Sequence, residues 1–280
     1  MELIPPGSDA PFERGASTTA IGAARLRAAH LLIDDPPPIF EDALAVRLLD
    51  PGAASSIREH PDRFRTPASL AIRCDVVVRS RYAEDRLAEA VRRGVRQYAI
   101  LGAGLDTFAY RQPAWADDLG IVEVDHAASQ ADKRDRLKRA GITPPPNLRY
   151  AAADLEANDL ASAFVACLGV LIYVSEGAAD AIFAMAASLA AGSELVFTFS
   201  RPDASTVRPP SPASAASHMA AIGEPWRTRF DPEALAARLE ASGFNSIGFL
   251  FAQDIAERYL SGRNDGLRAP PRVVLADATV

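Results

Sequence analysis

Cysteine is scarce in this 280-residue chain: the two present, Cys74 and Cys167, lie far apart in apolar surroundings. That excludes a disulfide framework, and the lack of paired spacing excludes a cysteine-based zinc site. A surplus of positive charge is missing too. The formal net charge is −6, and no local basic stripe offsets it, so a surface made to neutralise nucleic-acid phosphates is not expected. The arginines of RYAEDRLAEAVRRG (81–94) alternate with Asp and Glu at helical spacing and read as a solvated helix face. Long hydrophobic runs are absent as well. FVACLGVLIYV (164–174) is too short to span a bilayer and suits a buried strand. MELIPPGSDAPFERGAS at the start has no basic segment followed by an apolar one, so no signal peptide is expected. The expectation is a soluble cytoplasmic protein without nucleic-acid or membrane partners. Its 49% hydrophobic content is enough to bury a core.

What is present divides into two regions. Up to about residue 94 the chain reads as helical. STTAIGAARLRAAHLLIDD (17–35) opens on good capping residues and stops at a proline triplet, IFEDALAVRLLD (39–50) is amphipathic, and a third segment starts near Pro67 with an interruption expected before residue 79. From 95 to 280 short apolar strands alternate with helices. The strands expected are QYAILG (97–102), GIVEVD (120–125), LRYAAAD (148–154), FVACLGVLIYV (164–174), ELVFTFS (194–200), NSIGFLFA (245–252) and RVVLADA (272–278). Between them, segments 128–141, 175–192 and 229–244 read as helices, the last with Asp231 as cap, Pro232 in the first turn and Gly243 at the end. Continuous apolar strands joined by helices imply an α/β, doubly wound, mostly parallel sheet of seven strands with an N-terminal helical extension. The stretch 201–229, rich in Pro, Ser and Ala, reads as an insertion covering a site.

Gly102-Ala103-Gly104 follows the first strand of that sheet, where ligands of doubly wound folds bind. The dinucleotide fingerprint asks for another glycine three residues on, and Thr107 stands there. Asp106 at the mouth of the turn would repel a pyrophosphate but suit an ammonium group. Asp125, about twenty residues after the glycines at the end of the second strand, is placed to hold the ribose of an adenosine cofactor, or to cap the next helix. Asp154 ends the third strand, where a carboxylate can accept from an adenine amino group. These features favour an adenosine cofactor with a cationic amino-acid tail over NAD(P), while the ribose acid fits both.

The blocks GVRQYAILGAGLDTFAYR, VEVDHAASQADKRDRL and AADL, with STTAIGAARLRAAH, VVVRSRYAEDRL and GEPWRTRFDPEALAARLEASGF, resemble the leucine carboxyl methyltransferase family over nearly the whole chain. The resemblance implies S-adenosyl-L-methionine as cofactor on a Rossmann-like sheet. It implies that Arg79 pairs with the carboxylate of the methionine portion and that Gly102, Ala103 and Gly104 lie against that portion. It also implies that Asp125 and His126 meet the ribose side, and Asp154 with Leu155 the adenine. Many members carry an acid just before the glycine after the fourth strand; at that cofactor position this chain has Leu168. Tyr173 and Arg201 are the expected acceptor-side residues, and the acceptor is a small molecule or peptide.

Methyl transfer from a sulfonium is an in-line displacement with a neutral leaving group, so alignment and desolvation suffice for a carboxylate acceptor and no catalytic triad is expected. A hydroxyl acceptor would need a base, for which His126 and His218 are candidates. The first helix, carrying Arg25, and the insertion, carrying Arg201, His218 and Trp226, are expected to close over the acceptor. An NAD(P)-dependent oxidoreductase and a cofactor-binding protein without transfer are the alternatives.

Overall fold

The computed structural model describes residues 17–151, 162–202 and 225–280. Seven strands form one sheet: β1 (Gln97–Leu101), β2 (Gly120–Val124), β3 (Leu148–Ala151), β4 (Ala163–Cys167), β5 (Glu194–Ser200), β6 (Ser246–Leu250) and β7 (Val273–Thr279). Their order is β3-β2-β1-β4-β5-β7-β6, with β7 antiparallel to both neighbours and the pairings among β1 to β5 parallel. The chain winds outward from β1 to β3 and then crosses back to β4, so the switch point lies between β1 and β4.

Strand alternation splits the core. Tyr98, Ile100, Phe164, Ala166, Val196 and Leu275 face one way, while Ala99, Leu101, Val165, Cys167, Leu195 and Phe197 face the other. The first set packs on α4 (Pro67–Arg92), the second on α6 (Glu176–Ala187) and α7 (Pro232–Ser242). Burial on both faces explains why these strands read as unbroken apolar runs. The remaining helices are α1 (Thr18–Ile33), α2 (Ala43–Leu48), α3 (Ala53–Glu59), α5 (Ala127–Arg139) and α8 (Ala252–Ile255), the last followed by a π turn at Ala256–Leu260. A small separate cluster of Ala28, Ala29, Ala45, Ile57 and Phe64 holds α1 to α3 together.

Three expectations need correction. The third helical segment is not interrupted: α4 runs 26 residues because Val76, Val77 and Val78 are buried against the sheet, where packing outweighs the low helix propensity of β-branched residues. The fourth strand ends at Cys167, since Gly169 has φ +71° and leaves the pleat, and Leu171–Tyr173 forms a 3₁₀ turn. Tyr173 is therefore in that turn and not at a strand tip. Helix α6 ends at Ala187 with Ser188 as its cap; Gly192 belongs to the turn into β5. By contrast α7 begins at Asp231, whose carboxylate accepts from Glu233 and Ala234 amides, and ends at Gly243 with φ +110°, as its sequence predicts. Among the described residues no helix is long and apolar enough to cross a membrane.

Candidate functional site

The turn after β1 is tied to β2 by backbone bonds, the amides of Gly102 and Ala103 both donating to Val124 O at 2.8 and 3.2 Å. Gly102 has φ +63°, and a Cβ there would come within 2.4 Å of Val170 Cγ2. The position therefore requires glycine, and the loop after β4 closes directly on the turn. No helix follows the glycines. A single 3₁₀ turn, Phe108–Tyr110, comes next, opened by Asp106 Oδ1 accepting from the Phe108 amide at 2.8 Å. The anion-binding helix N-terminus that a pyrophosphate uses is thus missing after the glycines. Thr107, at the place of the third glycine, is 1% exposed and its Oγ1 accepts from Arg111 Nε at 2.9 Å. Ala103 points its methyl into the core beside α4.

Asp125 crosses to that turn. Its Oδ2 accepts from the Gly104 amide at 2.5 Å and its Oδ1 from the His126 amide at 2.6 Å. It does not cap α5; His126 does, through Nδ1 accepting from the Ala128 amide at 3.4 Å. Two oxygens each holding one backbone donor keep further lone pairs for an incoming donor. Beneath it, Glu123 and Lys133 form a pair at 2.7 Å with each side chain 1% exposed, pinning α5 to β2; burial pushes the Glu123 carboxyl up and Lys133 partly offsets that.

Arg79 reaches the glycine after β4. Gly169 has φ +71°, and a Cβ there would lie 2.7 Å from Arg79 Nη1, so the guanidinium occupies the space where another residue's side chain would begin. Arg79 bonds Asp75 one turn earlier at 3.0 Å. Burial raises the Asp75 carboxyl and Arg79 opposes the rise. Its neighbour Arg81 is half exposed, pairs with Asp85, and lines a separate cleft of about 560 Å³ with Pro36, Pro37, Arg258 and Tyr259. Leu168 is half-buried and packs against the α4-side core, so its side chain leaves the loop after β4 without a charge. Gly169 N–H donates to Thr198 Oγ1 on β5 at 2.7 Å, which fixes that loop.

Helix α1 lies over the glycine turn, a Cβ on Gly104 coming within 2.9 Å of Ala20 Cβ. Arg27 fastens it, with Nη2 on Leu105 O at 2.6 Å and Nε on Asp42 at 2.8 Å. Arg25, expected at the acceptor, instead stacks over Phe64 at 5.5 Å, on the side of α1 that meets the other N-terminal helices. Sequence reasoning overlooked Arg27, although it shares a helix stripe with Ala24 and Ala28, and a charge on a buried stripe needs a dedicated partner. Arg201 follows β5 and lies over the Phe251 ring at 5.6 Å. Tyr173 sits beside the returning chain, where Arg227 N donates to Ile172 O at 2.7 Å. Asp154, Leu155 and His218 lie outside the described residues.

An open α/β sheet of this order with β7 antiparallel, a glycine turn at its switch point and a carboxylate just after β2 is the frame of a Rossmann-like S-adenosyl-L-methionine-dependent methyltransferase. Comparisons agree. The leucine carboxyl methyltransferase family profile matches residues 20–187. YktD of Bacillus subtilis, named as a candidate S-adenosyl-L-methionine-dependent methyltransferase, is 29% identical over 91% of this chain and 94% of its own. FRAAL3718 of Frankia alni, named likewise, is 31% identical over 66% of this chain and 68% of its own. In fold, the chain is similar to a DUF574 family protein from Streptomyces avermitilis (TM-score 0.55, 17% identity, 95% and 97% of the two chains). A protein from Thermobifida fusca, solved as a candidate methyltransferase, is similar too (TM-score 0.56, 18% identity, 98% and 97%). The chain belongs to the leucine carboxyl methyltransferase family.

Proposed function

We propose that the protein is an O-methyltransferase whose acceptor is a carboxylate, or failing that a hydroxyl, of a small molecule or peptide. The carrying observation is Arg201, a half-buried guanidinium at the end of β5 that makes no ion pair among the described residues and lies over the Phe251 ring. An unpaired, stacked guanidinium suits an anionic acceptor. When bound, S-adenosyl-L-methionine supplies an electrophilic methyl on a sulfonium. Arg79 would hold the carboxylate of the methionine tail, Gly102, Ala103 and Gly104 the backbone beside that tail, and Asp125 the ribose hydroxyls. His126 would pack at the ribose side, and Asp154 and Leu155 would meet the adenine. Leu168 would give that region an apolar wall, and Tyr173 would line the acceptor side.

A carboxylate acceptor is already ionised, so the chain needs to align it and exclude water and has no proton to move. His126 is engaged as a helix cap, which supports a reaction without a histidine base. Residues 1–94 are proposed to act as a helical extension closing over a core of residues 95–280, with residues 201–229 inserted on the acceptor side.

The test is incubation with methyl-labelled cofactor and a metabolite extract, followed by alkali. The expected product gains one methyl group, and S-adenosylhomocysteine is released. Alkali then frees labelled methanol, as it does from methyl esters. Label that survives alkali on oxygen points to the hydroxyl form, and label on nitrogen overturns the proposal. Calorimetry with NAD and S-adenosyl-L-methionine separates the oxidoreductase alternative.

A further inference from the structure

The methionine tail of the cofactor is a zwitterion, with a carboxylate and an ammonium on one carbon. Arg79 answers only the first. The residues that follow β4, Leu168, Gly169 and Val170, offer no charge for the second. One turn before Arg79, Asp75 occupies the same part of α4, with Oδ2 at 3.0 Å from Arg79 Nη1. The pair is set on the loop after β4: all three terminal guanidinium atoms of Arg79 lie within 2.9 Å of where a Gly169 Cβ would stand.

Both side chains are mostly but not fully covered, Asp75 at 15% and Arg79 at 17% exposed. Arg79 is the one group bonded to Asp75, so the other Asp75 oxygen and the Nε and Nη2 of Arg79 have no partner among the described residues. None of these atoms is sealed from solvent without a bond. A carboxylate and a guanidinium held side by side, each with unused bonding capacity, form the opposite of a zwitterion's own charge pattern. The arrangement lets each end of the tail find its counter-charge without a new buried charge being left alone.

Building on the reading of the site as a cofactor cleft, we propose that Asp75 is a cofactor-binding residue that takes the ammonium of the methionine tail while the adjacent Arg79 takes its carboxylate. Burial raises the Asp75 carboxyl even though Arg79 opposes the rise, so a further cation beside it would stabilise its charged form.

The experiment is calorimetric titration of wild-type and Asp75→Asn protein with three ligands: S-adenosylhomocysteine, the analogue whose homocysteine tail is replaced by 4-sulfanylbutyrate, and 5′-methylthioadenosine. The analogue keeps the carboxylate and lacks the ammonium. Asp75→Asn is expected to weaken S-adenosylhomocysteine about tenfold or more, the scale of a charge-assisted bond. It should change binding of the other two ligands less than about threefold. Equal losses for all three ligands mean that Asp75 only supports the fold, and unchanged S-adenosylhomocysteine affinity means that the ammonium binds elsewhere. Either result overturns the proposal. Asp106→Asn, run alongside, identifies the other carboxylate near the turn. If wild-type protein binds none of the three ligands, the cofactor assignment itself fails, an outcome distinct from both.

Discussion

Asp125 and Gly102 carry the site at the scale of single residues. Asp125 grips two backbone amides, at Gly104 and His126, so it shapes the turn, and its remaining lone pairs are the ones proposed to meet a ribose. An Asn there retains one acceptor oxygen and loses the charge. Asp125→Asn is expected to raise the dissociation constant of S-adenosylhomocysteine by about tenfold to a hundredfold, measured by titration calorimetry; an unchanged constant would remove Asp125 from the cofactor. Gly102→Ala places a methyl on Val170 at a left-handed φ. The backbone strain alone costs about 1–2 kcal/mol, visible as a lower denaturant midpoint. An unaffected midpoint would mean that the turn relaxes freely. These residues were readable in advance because glycine pairs and strand-end acids have few reasons to stand where they do. Asp75 was harder to read, since an acid one turn before an arginine also describes an ordinary surface pair.

Among the elements, α1 decides how the glycine turn is covered. Its link is Arg27, 7% exposed and bound to both Leu105 O and the fully buried Asp42. Removing Arg27 leaves the buried Asp42 with Arg111 at 3.7 Å and the Ala45 amide that it caps, so Arg27→Met is expected to destabilise the fold by about 2–4 kcal/mol, and the double change Arg27→Met with Asp42→Asn, which keeps a capping oxygen and removes the charge, should recover part of the loss. Chemical denaturation of both variants checks this. Equal stability of the single and double variants would show that Asp42 is not left unpaired. With Ala20 against Gly104, cofactor binding should also protect α1 amides. Hydrogen exchange with and without S-adenosylhomocysteine reads this, and unaltered exchange in α1 would count against a closing extension. The sequence showed α1 as a helix and named Arg25 on it as the side chain carried over the acceptor; helix phase put Arg25 over Phe64 and Arg27 on the turn.

The whole molecule is organised by a sheet buried on both faces, and both cysteines lie inside it or against it, each 0% exposed. Burial pushes each thiol up to about 12, with the Asp75 charge adding to the effect at Cys74. Thiolate, the reactive form, is therefore withheld in the folded protein. A thiol reagent at pH 8 is expected to label neither cysteine until denaturant reaches the unfolding transition, and then to label both. Labelling of Cys74 alone under native conditions would reveal local opening of α4.

The sequence by itself determined the strand order of events along the chain, the glycine turn, the acid at the end of β2 and the caps of α7. Each of these is a local rule about backbone freedom, strand periodicity or orphan amides, and needs no distant partner. Only the tertiary structure decided where β4 stops, that α4 is continuous, that Asp125 spans to Gly104 while His126 caps, and that the Asp75–Arg79 pair lies against Gly169. Those outcomes depend on which faces meet across the fold. Side-chain partners dozens of residues apart leave no periodic mark in the sequence, because proximity between them is created by packing.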